Sequence, residues 1–386
     1  MEYKYTKLKN INQYQSESIN PSKTPDIVFE MYSVPIYETG HPEYLRGDEI
    51  ASNKVVVQKN DILLCKINPR INRVWIVADE SEKTNIASSE WIVIRNNEYN
   101  PEFLAWYFKS PKFQKLMTSE VTGIGGSLTR AQPKCVAEYP VPILNRGKQD
   151  EIVRILNKCK SIIELRKQEI SRLDDIIRAR FVEMFGDPNI NSKKWNECPL
   201  SKKLNVLGGY AFKSDQFDEK GGIPVLRIGN INAGYFKPVN MVYWQKDESL
   251  ERYVMYPGDL VMSLTGTVGK DDYGNVCILD DDYEMYYLNQ RNAKLEIKEG
   301  IDKYYLSQLL KFEQIKKRLT GISRGVRQAN ISNKDILNLV VPIPPLELQN
   351  QFADFVKHID KSKDSVQKAL DEAQLLFDSL MQQYFG

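Results

Sequence analysis

The sequence repeats itself at an offset of about 200 residues, and this duplication limits the possible folds more than any other feature. The tripeptide Val-Pro-Ile occurs at Val141–Ile143 and again at Val341–Ile343. Three further pairs of segments match upstream in the same order, beginning at Asn60 and Gly258, Phe103 and Tyr305, and Thr122 and Thr320. Matches that keep their order over such a distance indicate two copies of one structural unit. A chain of 386 residues is long enough to build two separate cores.

The first part of each copy has the composition of a β-rich domain. Short runs of β-branched and aromatic residues, such as RVWIV and IPVLRI, alternate with Gly, Asn, Asp and Pro, as in strands joined by turns. One helix is predicted in each copy, from Pro101 to about Ser119 and from about Asp302 to Leu319. Asn100 is a favourable N-cap, and Pro101 suits the first helical position. The predicted fold class is therefore α+β, with two β-rich domains in tandem.

The second part of each copy is predicted to be one long helix. Apolar residues recur there at alternating steps of three and four, a period that is typical of coiled coils. The residues predicted to pair the helices or to dock another subunit are Ile152, Leu156, Ile163, Ile170, Leu173, Ile177, Phe352, Phe355, Ile359, Leu376 and Leu380. A long apolar stripe needs a partner, and the two helices can supply it to each other. The alternative is that each helix packs separately on its own domain.

Proline and glycine mark the ends of these segments. Pro344-Pro345 precede the second helix, and Gly186 is a suitable C-cap for the first. The predicted division is a domain at residues 1–145, a central helix at 146–186, a second domain at 187–343 and a C-terminal helix at 344–386.

Composition favours a cytoplasmic protein without catalytic machinery of its own. The N-terminus lacks an apolar signal sequence, and no apolar run is long enough to span a bilayer. The five cysteines include no Cys-x-x-Cys pair, which disfavours a zinc site and a disulfide framework. The segment TGTVGK at Thr265–Lys270 resembles a phosphate loop, but its glycines are too close together. No catalytic, cofactor-binding or metal-binding residue is therefore predicted.

The β-rich domains instead carry loops in which basic and amide side chains are mixed with glycine and aromatic residues. Arginine pairs with guanine, Asn and Gln pair with adenine, and Lys, Ser and Thr bind phosphate. The net charge of +2 does not exclude nucleic acid, because binding depends on local basic patches. The candidates for DNA contacts are Lys66, Arg70, Arg73 and Arg130 in the first domain and Tyr210, Lys213, Arg227, Thr265, Lys270, Arg291, Arg324, Arg327, Gln328 and Asn330 in the second.

The order of domain, long helix, domain, long helix resembles the DNA-specificity subunit of type I restriction-modification systems. The resemblance covers nearly the whole chain, and it is carried by RFVEMFGDP, GYAFKS, GDLVMSLTGTVG, LNQR, SRGVRQANIS and VPIPPLELQNQF. The corresponding segments GGSLTRAQPK and PVPILNRGKQDEI of the first copy depart from this pattern.

The resemblance implies a non-catalytic subunit that binds double-stranded DNA. Two target recognition domains would each read one half of an asymmetric, bipartite site. The two helices would form an antiparallel coiled coil with pseudo-two-fold symmetry and dock two modification subunits. Those subunits would use S-adenosylmethionine to methylate adenine at N6, and separate restriction subunits would use ATP and Mg²⁺. No cofactor is expected in this chain.

Two alternatives from other functional classes remain open at this point. A stand-alone DNA methyltransferase or nuclease with divergent motifs would act on DNA without partners. A purely structural coiled-coil adaptor would show no salt-dependent binding to duplex DNA, because it would displace no counterions from the phosphates.

Overall fold

The computed structural model describes residues 3–78, 80–119, 121–122, 129–267, 270, 272–321 and 328–386. The chain forms two compact units, one from Met1–Lys167 together with Gln367–Gly386 and the other from Gln168–Val366. Each unit therefore combines one β-rich domain with a portion of each long helix.

In the first unit, short strands form two main sheets beside a pair of short helices. Its strands are β1 (Tyr5–Lys7), β2 (Ser18–Ile19), β3 (Val28–Tyr32), β4 (Glu43–Arg46), β5 (Lys54–Val56), β6 (Ile62–Cys65), β7 (Val74–Ile76), β8 (Asn85–Ala87), β9 (Trp91–Ile94), β10 (Val121–Thr122), β11 (Arg130–Ala131) and β12 (Pro140–Pro142). Its helices are α1 (Leu8–Ile11), α2 (Pro101–Lys109), α3 (Pro111–Ser119), α4 (Pro133–Val136) and the start of α5 (Arg146–Phe185). The sheets have the orders β2-β5-β8-β3-β4 and β7-β6-β9, with smaller pairs β1-β12 and β10-β11.

The second unit repeats this arrangement. Its strands are β13 (Glu197–Pro199), β14 (Leu204–Gly208), β15 (Ile223–Leu226), β16 (Val242–Trp244), β17 (Val254–Met255), β18 (Leu260–Ser263), β19 (Thr265–Thr267), β20 (Val276–Ile278), β21 (Tyr286–Leu288), β22 (Asn292–Ile297), β23 (Gln328–Asn330) and β24 (Val340–Pro342). Its helices are α6 (Lys303–Leu310), α7 (Glu313–Thr320), α8 (Asn333–Asn338) and the start of α9 (Leu346–Phe385). The sheets have the orders β16-β15-β21-β17 and β14-β22-β18-β20, with pairs β13-β24 and β19-β23.

Corresponding strand pairs close both domains just before a long helix begins. Strand β1 pairs with β12, where Thr6 lies opposite Val141. Strand β13 pairs with β24, where Cys198 lies opposite Val341. Each Val-Pro step therefore lies at the end of the last strand of its domain. The isoleucine that follows still donates one bond across the pair, from Ile143 to Lys4 and from Ile343 to Asn196, both at 2.8 Å.

The structure corrects the prediction of one uninterrupted helix in each domain. Asn100 is the N-cap and Pro101 the first helical residue, as predicted. However, Ser110 is extended (φ −66°, ψ 149°), so α2 ends there and Pro111 begins α3. Proline cannot continue a helix through its interior, because it lacks an N–H group and its ring contacts the preceding turn. In the second unit Phe312 is extended in the same way (φ −66°, ψ 127°) and separates α6 from α7.

Within the second unit, the end of α5 packs against the start of α9 in the antiparallel direction. The rings of Phe181 and Phe352 lie 5.5 Å apart. Asp174, earlier in α5, forms a 2.7 Å ion pair with Lys363, later in α9. The core residues that the two helices contribute are Ile177, Phe181, Phe185, Phe352 and Val356. The predicted pairing of the helices is therefore confirmed in this unit.

Within the first unit, the start of α5 packs against the end of α9. Ile152 and Leu156 belong to the same buried cluster as Met381 and Tyr384. This cluster also contains the apolar faces of α2 and α3, so residues from both ends of the sequence share one core. The alternative of helices that each pack separately is not supported.

Leu376 departs from the predicted seam. Its side chain is 54% exposed, whereas Phe377 packs against Trp106 with ring centroids 5.5 Å apart. A step of one residue rotates a helical side chain by about 100°, so only one of these neighbours can face the core. Among the other predicted positions, those that are buried are Ile152, Leu156, Ile163, Ile177 and Phe352. Those that are half-buried are Ile170, Leu173, Phe355, Ile359 and Leu380.

None of the helices in the described ranges is both long enough and apolar enough to cross a membrane.

Candidate nucleic-acid interface

In the second unit, the sheet order brings two of the predicted DNA-binding loops together. Strand β14 ends where β22 begins, because Gly208 lies opposite Ala293. The N–H group of Tyr210 donates to the carbonyl oxygen of Leu288 at 2.8 Å, and Gln290 donates back to the carbonyl of Tyr210 at 2.8 Å. The loops GGYAFKS and LNQRNA therefore form one surface at this end of the sheet.

A glycine permits this close approach and leaves Tyr210 accessible. A Cβ atom on Gly209 would collide with the backbone carbonyl of Asn289. The ring of Tyr210 is held by Phe212 at 5.0 Å and by Tyr253 at 5.4 Å, yet 38% of the residue remains exposed. Aromatic packing thus holds an exposed phenol beside the LNQRNA loop, where it could contact a nucleic acid.

Arg227 and Arg291 follow neighbouring strands. Strands β15 and β21 run parallel with Leu226 opposite Leu288, so the residues after each strand emerge at the same edge. The amide of Asn292 donates to the carbonyl of Leu226 at 2.7 Å and ties the two loops together. Arg291 is exposed, whereas the guanidinium of Arg227 donates to the backbone carbonyl of Asn240. Arg291 is therefore the freer of the two to bind DNA.

A two-stranded ribbon carries the remaining candidates. Thr265 lies opposite Asn330 in the β19-β23 pair, which joins the SLTGT segment to the end of the SRGVRQANIS segment. Asn330 and Lys270 are exposed, and Thr265 is half-buried. Only the backbone of Gln328 is described, and Arg324 and Arg327 lie outside the described residues. Lys213 is exposed near the end of the GGYAFKS loop, directly before a short turn at Ser214–Gln216.

In the first unit, the turn between β6 and β7 meets the strand that contains Arg130. Ala131 donates to the carbonyl of Lys66 at 2.9 Å, and Asn68 donates to the carbonyl of Thr129 at 2.8 Å. Ile67 forms a β-bridge with Arg130. The corresponding contact in the second unit is the β19-β23 ribbon, so both units join the same two segments.

Two of the basic candidates in the first unit have protein partners. Arg130 donates to both carboxylate oxygens of Glu90 at 3.3 Å, and this pairing raises the pKa of the arginine. The Nζ atom of Lys66 donates to the carbonyl of Ser89 at 2.6 Å. Arg70 is exposed, and Arg73 is half-buried. DNA would therefore have to displace local partners of Lys66 and Arg130, whereas Arg70 is accessible as it stands.

Sequence reasoning did not identify Glu90 or Asn289 as part of these surfaces. Glu90 orients Arg130, and Asn289 provides the backbone against which Gly209 packs. Gly209 could have indicated a close backbone approach, because glycine has no Cβ atom. The sequence could not show that the approaching backbone is that of Asn289, eighty positions away. Within the part of the chain that the structure describes, no group of three or more His, Cys, Asp or Glu residues could hold a metal ion.

Comparisons with known proteins agree with this arrangement. Residues 192–374 match the family described as "Type I restriction modification DNA specificity domain". The chain is 24% identical over 383 residues to the type I restriction enzyme MjaVIII specificity subunit of Methanocaldococcus jannaschii, covering 90% of this chain and 86% of that protein. It is 28% identical over 182 residues to the EcoBI specificity subunit of Escherichia coli, covering 46% of this chain and 35% of that protein.

A solved structure shares the fold over the full length. The S subunit of a type I restriction-modification system from M. genitalium superposes with a TM-score of 0.56 at 15% identity, covering all of this chain and 96% of that one. The similarity extends across both β-rich domains and both long helices.

Proposed function

Because the chain belongs to the specificity subunits of type I restriction-modification systems, we propose that it reads an asymmetric, bipartite DNA site. As a specificity subunit it recognises DNA and is not the catalytic component. In this proposal, residues 1–145 and 187–343 are target recognition domains that each read one half-site. The loop clusters around Arg70 and around Tyr210 and Arg291 provide the DNA contacts.

The observation that carries this proposal is the recurrence of one arrangement in both units. In each, the segment after an inner strand of a sheet meets a second segment that is far away in sequence, through Asn68 and Thr129 in one unit and through Thr265 and Asn330 in the other. The candidate contact residues on these segments differ: they are Lys66, Arg70, Arg73 and Arg130 in the first unit and, among the described residues of the second, Thr265, Lys270 and Asn330. Two similar frames with different contact residues are suited to two different half-sites.

The long helices space the two recognition domains and dock partner subunits. Each helix has 40 residues, which corresponds to about 60 Å at 1.5 Å per residue. Leu165, Leu375 and Leu376 are 61%, 73% and 54% exposed, respectively, and provide apolar surface that a partner could cover. We expect two modification subunits that use S-adenosylmethionine, and restriction subunits that use ATP and Mg²⁺, in the cytoplasm.

Methylome sequencing of cells with and without this chain tests the proposal. We expect one bipartite adenine-methylated motif to disappear when the chain is removed. Exchange of residues 187–343 with those of a related subunit should change one half of the motif and leave the other half unchanged. If the chain is removed and every methylated motif persists, the proposed function is wrong.

Docking is tested separately by assembly with the modification subunits. Leu376→Asp places a charge on the exposed apolar surface of α9, and Gln383→Asp adds the same charge at another exposed position of that helix. We expect Leu376→Asp to reduce co-purification of the modification subunits and Gln383→Asp to leave it unchanged. Equal recovery with both variants would place the docking surface elsewhere.

A further inference from the structure

Gln114 and Lys316 occupy equivalent positions in the second short helix of each unit. The backbone N–H of Gln114 donates to Ser110 at 2.9 Å, and that of Lys316 donates to Phe312 at 2.9 Å. These two acceptors are the extended residues that interrupt the short helices. One turn later, a threonine hydroxyl donates back to the carbonyl of each residue, at 3.1 Å from Thr118 and 3.2 Å from Thr320. The two positions therefore have the same local geometry.

Both side chains reach the turn that carries candidate DNA-binding residues. The Nζ atom of Lys316 donates to Oδ1 of Asn275 at 2.6 Å. The amide of Gln114 donates to the backbone carbonyl of Pro69. Pro69 lies in the turn between β6 and β7, and Asn275 lies directly before β20, the strand that corresponds to β7. Different donors, bonded to different positions, thus connect the second short helix of each unit to the segment between the two paired strands.

In the second unit, further bonds attach the helix and the neighbouring strand to this turn. Tyr273 donates its hydroxyl proton to the carbonyl of Thr320 at 2.9 Å. Ser263 donates its N–H to the carbonyl of Asn275 at 2.9 Å, and Asn275 donates back to the Ser263 hydroxyl at 3.1 Å. Gly274 adopts φ +71°, and a Cβ atom there would lie only 3.2 Å from the side chain of Thr320. The segment from Tyr273 to Asn275 is therefore held tightly against α7.

The same frame determines where the candidate contact residues lie. Strand β19 leaves from Leu264, beside the Ser263–Asn275 pair, and Thr265 then lies opposite Asn330 in strand β23. Lys316 is only 8% exposed, so it is poorly placed to bind a phosphate itself. Its contribution to recognition would therefore act through the position of the turn.

We propose that Lys316 and Gln114 are positioning residues that hold the DNA-reading turn of their own unit against its second short helix. Each thereby sets the base discrimination of one half-site without contacting DNA. This inference rests on the proposed function, because it assumes that each unit reads one half of the site.

The test uses the full chain assembled with its modification subunits and three DNA duplexes. One duplex has the cognate site, and each of the others has one base pair substituted in one half. Lys316→Met and Gln114→Met remove the donor and keep an unbranched side chain. Lys317→Met and Lys115→Met, at the adjacent exposed positions of the same helices, are the matched controls.

We expect Lys316→Met to lower discrimination about tenfold against the substitution in the half read by the second unit. This is the order of discrimination that one well-placed base contact provides. Discrimination in the other half should be unchanged, and Gln114→Met should show the reverse pattern. The salt dependence of binding should match the parent, because no phosphate contact is lost. The two controls should keep parental discrimination in both halves.

A double-mutant cycle separates positioning from general destabilisation. Asn275→Ala removes the acceptor of Lys316 from the turn, so its effect on discrimination should not add to that of Lys316→Met. Circular dichroism and the unfolding midpoint identify variants that fold. If Lys316→Met does not fold, Lys316→Gln, which introduces the residue of the first unit, replaces it.

Three outcomes would overturn the inference. The first is a folded variant that retains parental discrimination, and the second is one that loses discrimination equally in both halves. The third is a variant whose binding depends less steeply on salt, as expected when a phosphate contact is lost. Failure of the proposed function gives a different result, because the parent complex itself would then show no preference for any site.

Discussion

The side-chain oxygen of Gln149 accepts a 2.7 Å hydrogen bond from the backbone N–H of Asn100. This bond connects the first turns of α5 to the residue that caps α2. The amide group of Gln149 also donates to the carbonyl of Leu144 at 2.8 Å. In the second unit, Gln349 makes the same pair of bonds, to Asp302 at 2.8 Å and Pro344 at 2.7 Å. A buried glutamine therefore fastens each domain to the long helix that follows it.

Replacing Gln349 by leucine should destabilise the second unit by about 2 kcal/mol. The substitution removes two hydrogen bonds and leaves the N–H of Asp302 and the carbonyl of Pro344 without these partners. Hydrogen exchange at the first turn of α6 and chemical denaturation would measure the effect. Gln351→Leu, at an exposed position of the same helix, is the control and should change stability by less than about 0.5 kcal/mol.

Phe181 and Leu376 provide a contrast between core and surface on the long helices. Phe181 is fully buried against Phe185, Tyr305 and Phe352, so Phe181→Ala should cost about 3–5 kcal/mol of unfolding free energy. Leu376→Ala should cost less than about 0.5 kcal/mol, because its side chain is largely in solvent. Equal losses in equilibrium denaturation would contradict the assignment of the helix-pairing face.

Arg291→Ala should weaken binding to the cognate site by about 1–3 kcal/mol if the guanidinium reads a base. The side chain is exposed at the end of the sheet and lies on the loop that contacts Tyr210. Titration of duplexes substituted in one half would show a loss confined to the half-site of the second unit. A uniform loss on all sequences, with a shallower salt dependence, would identify Arg291 as a phosphate contact.

Asp280 should make the stability of the second unit depend on pH. Partial burial, reinforced by the negative charge of Asp282, raises the pKa of Asp280 from 3.8 to about 6. Between these values the folded protein binds more protons than the unfolded chain, so stability falls as pH rises through this range. Asp280 is nevertheless exposed at the surface, so solvent screening limits the effect to less than about 1 kcal/mol.

The substitution Asp280→Asn tests this dependence directly. At pH values above 6 it should raise the midpoint of thermal unfolding. Near pH 3, below both pKa values, it should have little effect, because the aspartate is mostly protonated in the folded and unfolded states. Asp281→Asn, one residue further along, is the control. A variant whose midpoint changes equally at both pH values would show that charge at Asp280 is not the cause.

Local patterns predicted the elements of this fold better than the contacts between them. The helices α5 and α9 were recognisable because their apolar period continues for 40 residues without an internal proline. The break at Ser110 could have been inferred from Pro111, which follows it, but the predicted helix was continued through this position to about Ser119. At Phe312 no proline marks the break between α6 and α7, and the ring of Phe312 lies in the core, 5.0 Å from that of Phe181.

The candidate interface could be predicted only as separate loops. Tyr210 meets the loop of Arg291 because β14 pairs with β22, and Asn330 meets Thr265 because β23 pairs with β19, and these partners are distant in the sequence. The proposed roles of Lys316 and Gln114 could not be predicted either, because their hydrogen-bond partners are also distant in the sequence. A lysine and a glutamine at equivalent positions do not look alike in sequence. They are related only by the hydrogen bonds that both side chains donate to the neighbouring turn.

The core of the first unit also has a consequence for the order in which the protein is made. Phe385 is buried against Phe103 and Tyr107, with ring centroids 5.6 and 5.7 Å apart. The ribosome therefore synthesises all of the second unit before the residues that complete the first one. During translation, part of the apolar surface of the amino-terminal domain therefore stays uncovered until the end of α9 leaves the ribosome.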